Sequence, residues 1–156
     1  MTLISLPAAI TLTARSERTL WRMFADGSAA REVINGKAMF DLESIKPFLC
    51  IPIDAEDLLL VEEADKGNAE AQTDLALIFL SNRKFKEAVF WLELAAEQGY
   101  ADAMNWLGRC YIHGDGIEKN ENVGMMWLAK AAANGHAISK AQMESIRNRF
   151  KSSDAC

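Results

Sequence analysis

The segment Gly67-Asn-Ala-Glu-Ala-Gln-Thr-Asp-Leu75 returns 32 residues later as Gly99-Tyr-Ala-Asp-Ala-Met-Asn-Trp-Leu107. A second run, Ala88-Val-Phe-Trp91-Leu-Glu-Leu-Ala95-Ala96-Glu-Gln-Gly99, returns 36 residues later as Gly124-Met-Met-Trp127-Leu-Ala-Lys-Ala131-Ala132-Ala-Asn-Gly135. Self-similarity at such a period constrains the fold more than any other feature, because each unit must stack on a neighbour to bury its apolar face. The four extra residues of the second period fall around His113-Gly-Asp-Gly116, where an insertion into a surface turn is least disruptive. Each unit reads as helix, turn, helix. Ala69, Ala71, Leu75 and Phe79 recur at helical spacing, as do Ala88, Trp91, Leu92, Ala95 and Ala96. Gly99 and Gly135 stand one position beyond the second helices, where a left-handed residue closes a helix.

Fragments extend the array at both ends. Leu59 to Gly67 matches the close of a second helix, and Gly135 to Met143 the start of a first one. The expected organisation is a half repeat over 54–66, repeats over 67–98 and 99–134, and a capping helix over 135–150. The acidic stretch Asp54 to Asp65 reads as a helix with Glu56, Asp57, Glu62, Glu63 and Asp65 outside and Leu58, Leu59, Val61 and Ala64 inside. From Lys151 on, a frayed tail is expected.

Ala101, Ala103, Leu107, Gly108, Tyr111, Gly114 and Gly116, followed by Trp127-Leu, Ala131, Ala132 and Gly135, form a pattern that resembles the Sel1-like repeat, a relative of the tetratricopeptide repeat. The first unit departs from it, with Ala76 where Gly108 stands and no Gly-x-Gly loop. The resemblance implies an α-solenoid that binds a protein partner on its concave surface and carries no catalysis. First-helix residues that the packing pattern leaves free, Asp74, Trp106, Arg109 and His113, are the expected contacts, since an aromatic beside an arginine is typical of binding hot spots. The other reading of Trp106 is that it packs against the head or a cap.

Residues 1–50 do not continue the repeat. Ser16 is a good N-cap for a helix from Glu17 to Ala25, and Asp26-Gly27 a good end for it. Leu20, Met23 and Phe24 fall on one side of that helix, with Arg18, Trp21, Arg22 and Ala25 on the other. Asn35-Gly36 between Ala30–Ile34 and Lys37–Phe40 signals a β-hairpin. Asp41 is placed to cap a short helix, Leu42 to Ile45, that Pro47 ends. The order helix, turn, helix, hairpin, helix, with Ala8-Ala9 in the first helix, resembles the excisionase and MerR-type winged helix-turn-helix. That resemblance implies contact with double-stranded DNA through Ser16, Arg18 and Arg22, with Arg31 and Lys37 in the wing. The alternative is a degenerate head that only caps the solenoid.

Charge bears on that choice. The chain of 156 residues has a formal net charge of −5. Residues 1–50 carry six basic side chains against five acidic ones, so the excess of acid lies in the array. Useful affinity for DNA requires roughly six phosphate contacts; one copy offers fewer cations, and a homodimer could supply the rest. The three cysteines, Cys50, Cys110 and Cys156, are far apart and without Cys-x-x-Cys spacing, so reduced thiols and no metal or cofactor are expected. The two histidines lie in inter-helix segments, no nucleophile has a partner, and no catalysis is expected. Met125 and Met126 read as core filler. Pro7 interrupts the only early apolar stretch, so a cytoplasmic protein without membrane contact is expected. The two prolines between Phe48 and Asp54 suggest a stiff linker.

The sequence thus describes a mostly α protein: a winged-helix head with one hairpin, followed by a short Sel1-like solenoid. Its expected role is a non-enzymatic regulator joining DNA to a protein partner, the alternative being a pure protein adaptor.

Overall fold

A computed structural model describes residues 1–153; Cys156 lies outside them. The head opens with strand β1 (Leu3–Ser5), which leads directly into helix α1 (Leu6–Thr13) and then α2 (Glu17–Ala25). A hairpin of β2 (Arg31–Ile34) and β3 (Lys37–Asp41) follows, and α3 (Leu42–Ile45) runs into a short 3-10 turn. Both residues of the hairpin turn have positive φ, 51° at Asn35 and 77° at Gly36, the conformation that Asn-Gly favours. Ser16 caps α2 by accepting the Thr19 N–H at 3.2 Å. The expected element order is thus present, with one strand that the sequence reading omitted. β1 pairs antiparallel with β3, Ile4 opposite Phe40, giving a sheet of order β1-β3-β2. Three residues flanked by a polar Thr2 and a Ser-Leu-Pro helix start leave no alternation long enough to signal a strand.

Asp41 occupies the N-cap position of α3 but makes no capping bond, and one of its carboxylate oxygens is buried without a hydrogen-bond partner among the described residues. Leu20 and Met23 of α2 are buried as expected. Phe24 is only half-buried, and Trp21, placed on the outer side by its spacing, turns inward to pack edge-on against Phe40 at 6.1 Å.

The array comprises α4 (Ala55–Asp65), α5 (Ala69–Ser81), α6 (Phe85–Glu97), α7 (Ala101–His113), α8 (Glu121–Ala133) and α9 (Ala137–Ser153). Each helix packs on the next in chain order. Asp54 caps α4 in a reciprocal box with Asp57, and Asn68 and Asn120 cap α5 and α8. Gly99 and Gly135 close α6 and α8 at φ 87° and 94°. The loop between α7 and α8 is longer than that between α5 and α6 by the inserted residues.

The core is one continuous cluster, from Ile4, Leu12 and Phe40 in the head to Trp91, Leu92 and Leu107 in the array. The head is bound to the array at two polar points. The Ser5 N–H and hydroxyl donate to the two Asp65 carboxylate oxygens at 2.7 and 2.5 Å, and the fully buried Trp91 indole donates to the Thr11 hydroxyl at 3.1 Å. The head therefore packs on α6 as well as on α4. Asp65, expected on the solvent face, is half-buried by this contact. The linker is tied down too: the Cys50 N–H donates to the Leu12 carbonyl at 2.8 Å and Ile51 is buried.

Three further expectations are corrected. Leu59 points to solvent, 64% exposed, while Val61 and Ala64 take the buried positions of α4. Met126 is 44% exposed rather than buried. The segment from Lys151 to Ser153 continues α9 as regular helix instead of fraying. Among the described residues, no helix is long and apolar enough to cross a membrane.

Candidate partner-binding surface

The two first helices of the repeats, α5 and α7, bury Gln72, Leu75, Ala76 and Phe79, and Ala103, Asn105, Leu107 and Cys110, among others, and each leaves one narrower face to solvent. On α7 the exposed Asp102, Arg109 and His113 and the half-buried Trp106 follow helical spacing. The structure brings Trp106 and Arg109 together: the guanidinium lies 4.5 Å from the centre of the indole ring. Trp106 is half-buried and packs against the hydrophobic core. An aromatic held rigid on one side and wet on the other, with a cation stacked on it, can bury area on a partner with little loss of rotamer freedom. His113 is exposed at the last position of α7, one turn beyond Arg109.

Asp74 does not join this group. It acts on Tyr100, whose hydroxyl is held above its ordinary range by burial first, and then by the negative field of Glu70, Asp102 and Asp74. Asp102 also faces His136, 3.5 Å from the imidazole. His136 in turn caps α9, its Nδ1 accepting the Ser139 N–H at 3.1 Å. The candidate surface thus has an aromatic-cationic part at Trp106 and Arg109 and an acidic part at Glu70, Asp74 and Asp102. Tyr100 and Asp102 were missed in the sequence because they fall at variable positions of the repeat pattern, where only the fold shows what lies beside them.

In the head, the residues expected at DNA are dispersed in role. Arg18 and Arg22 are exposed on α2, and Lys37 is exposed at the hairpin. Ser16 is engaged as the helix cap, with its hydroxyl also 2.9 Å from that of Thr19. Arg31 does not extend from the wing: its guanidinium lies 3.7 Å from the Phe24 ring centre and 4.9 Å from that of Trp21. It holds β2 against α2. Between the hairpin and the start of α1 lies a groove of about 410 Å³ lined by Leu6, Pro7, Trp21, Val33 and Ala38 with Arg31 and Lys37 at its rim.

Neither described cysteine is poised for chemistry. Burial raises the Cys50 thiol, and burial followed by the field of Asp115 pushes Cys110 up to about 11. Among the described residues, no cluster of His, Cys, Asp and Glu is arranged to hold a metal ion.

The Sel1 repeat model matches residues 69–100 and 101–136. Those residues are two Sel1 repeats. A solved structure of a Sel1 repeat protein from Oxalobacter formigenes superposes with a TM-score of 0.55 at 34% identity, covering 59% of this chain and 28% of that one. Two curated proteins called DAP3-binding cell death enhancer 1, from Rattus norvegicus and Mus musculus, are 32% and 33% identical over 92 residues. That stretch is 58% of this chain and 18% of each relative, so the chain spans about a fifth of the length of the curated proteins it matches. The Sel1 assignment places Trp106 and Arg109 on the first helix of the second repeat, and Asp74 on the first helix of the first.

Proposed function

We propose that this chain is a non-catalytic adaptor that holds a protein partner on the concave side of its Sel1 repeats, through Trp106 and Arg109 with His113 and Asp74 at the margins, while the head caps the array. The observation that carries this reading is the stack of exposed Arg109 on half-buried Trp106 on the first helix of a repeat. Two facts support it. The head is joined to the array through a buried bond at Thr11 and partly buried ones at Ser5, as a cap would be. The curated relatives are named for binding another protein. Capture of partners from a lysate of the source cell, followed by titration with the purified partner, tests it. Trp106→Ala should raise the Kd roughly thirtyfold, about 2 kcal/mol, and an unchanged Kd would remove this surface from consideration.

A DNA contact by the head is the second reading. It is favoured by the element order and by the exposure of Arg18, Arg22 and Lys37, and disfavoured by Arg31, which is stacked away, and by the acidic array. Fluorescence titration of labelled DNA separates the two. DNA binding would weaken steeply with salt and vanish in Arg18→Ala with Arg22→Ala, whereas the adaptor shows no saturable binding even at low salt.

A further inference from the structure

A second helix of each repeat rests on the first helix of its own unit and carries the first helix of the next. Beyond α9 the next seat is a groove of about 720 Å³ between α8 and α9, floored by Ala129 and Ala132 on one side and by Met143, Ile146 and Phe150 on the other. Phe150 is 70% exposed, and nothing among the described residues covers the groove. Small side chains on one wall and long apolar ones on the other are the form a helix requires for close approach. Lys140 and Arg147 stand on its rim, seven residues apart, with Glu144 between them. With Arg149 and Lys151, α9 carries a net charge of +3.

At the other end of the array, α4 is a second helix that lacks its own first helix. Its outward face presents Glu56, Leu59, Leu60 and Glu63, with Leu59 64% exposed. The spacing is that of a helix anchoring in a groove, apolar at the centre with a carboxylate at each end. Glu56 and Glu63 are seven residues apart, so both charged pairs span about 10.5 Å along their helices. Helix α4 has five carboxylates and no basic side chain.

We propose that α4 of one copy seats in the α8–α9 groove of another, antiparallel to α9, with Glu56 beside Arg147, Glu63 beside Lys140 and Leu59 between Met143 and Ile146. The contact completes a repeat between molecules and continues the stack. It joins unlike surfaces, so it propagates head to tail rather than closing as a twofold dimer. The occupant is a second copy because the two faces match in sign, spacing and apolar content. The α4 face adjoins Glu70 and Asp74, but Trp106 and Arg109 line neither docking face, so Trp106→Ala leaves the assembly intact and the two readings fail separately.

Light scattering on the full chain across a range of concentrations is the test. The mass should rise with concentration at low salt and fall back towards one chain at high salt. Glu56→Lys with Glu63→Lys, and separately Lys140→Glu with Arg147→Glu, should each weaken association at least tenfold with the circular dichroism spectrum unchanged. An equimolar mixture of the two variants should recover it, because each then offers the charge the other needs. Leu59→Gln, which introduces no charge, should weaken it as well, and replaces any charge variant that fails to fold. A chain that stays monomeric at every concentration, a dimer indifferent to all these changes, or a mixture that fails to reassociate would overturn the proposal, the first leaving the groove to a helix of another protein.

Discussion

Glycines of this chain sort into two physical kinds, and the difference is measurable. At Gly99 the backbone is left-handed and a Cβ would meet nothing within 4 Å. Gly99→Ala should therefore lose only the conformational preference, about 1 kcal/mol. Gly116 is also left-handed, but a Cβ there would lie 2.4 Å from the Phe85 carbonyl carbon and oxygen. Backbone cannot rotate away as a side chain can, so Gly116→Ala must move the α7–α8 loop off the start of α6. Denaturant unfolding should show Gly116→Ala to be the more harmful by about 1–3 kcal/mol; equal effects would mean that the loop does not rest on α6. Cys110 supplies a pH test at the same scale. Its folded pKa is raised to about 11 from an ordinary value of 9.0. A raised pKa means that the unfolded thiol ionises first, so its contribution to stability is complete below pH 9 and is lost as pH rises towards 11. Cys110→Ala should lose up to about 2 kcal/mol less than the parent chain across that interval in alkaline melts.

Repetition made the array legible at the level of elements: the two offsets locate α5 to α8, and their difference locates the longer loop after α7. Where an element touched something outside its own pattern, the sequence was silent. Leu59 counts as apolar and by pattern belongs inside, yet α4 buries Val61 and Ala64 and turns Leu59 outward. Asp65 counts as charged and was assigned outside, yet it receives both donors of Ser5, 60 residues away. The candidate site divides in the same way. Trp106 and Arg109 are neighbours because they are three apart on one helix, which spacing reveals, whereas the grouping of Asp74 with Tyr100 and Asp102 is set by how repeats stack. Arg31 is the instructive case in the head, because a wing arginine reads as a phosphate contact until Phe24 and Trp21 are seen beneath it. Arg31→Ala should loosen the hairpin from α2 and speed amide exchange in β2 and β3, lowering stability by about 0.5–2 kcal/mol. Lys37→Ala, exposed and unstacked, should do neither.

The whole molecule is held as a unit by a core that runs from head to array without interruption, and the Trp91–Thr11 bond is where that continuity can be tested. Trp91 belongs to α6, on the second helix of the first repeat, and Thr11 to α1 in the head. The indole N–H has its acceptor in Thr11, in a place closed to water. Thr11→Val keeps the shape and removes the acceptor, leaving a buried donor unsatisfied at about 1–3 kcal/mol. If the head were a separate module, that loss would destabilise the head alone, and circular dichroism of the array would melt at its former midpoint. If the head is the cap that the packing describes, the array loses its end support together with the bond, and all helices should unfold in one transition shifted to lower temperature. Trp91→Phe completes a double-mutant cycle: once the indole donor is gone, Thr11→Val should cost much less, because no donor remains to be stranded. Two resolved melting transitions in the parent chain would refute the cap, and would return the head to the status of an independent domain whose exposed Arg18 and Arg22 need another explanation.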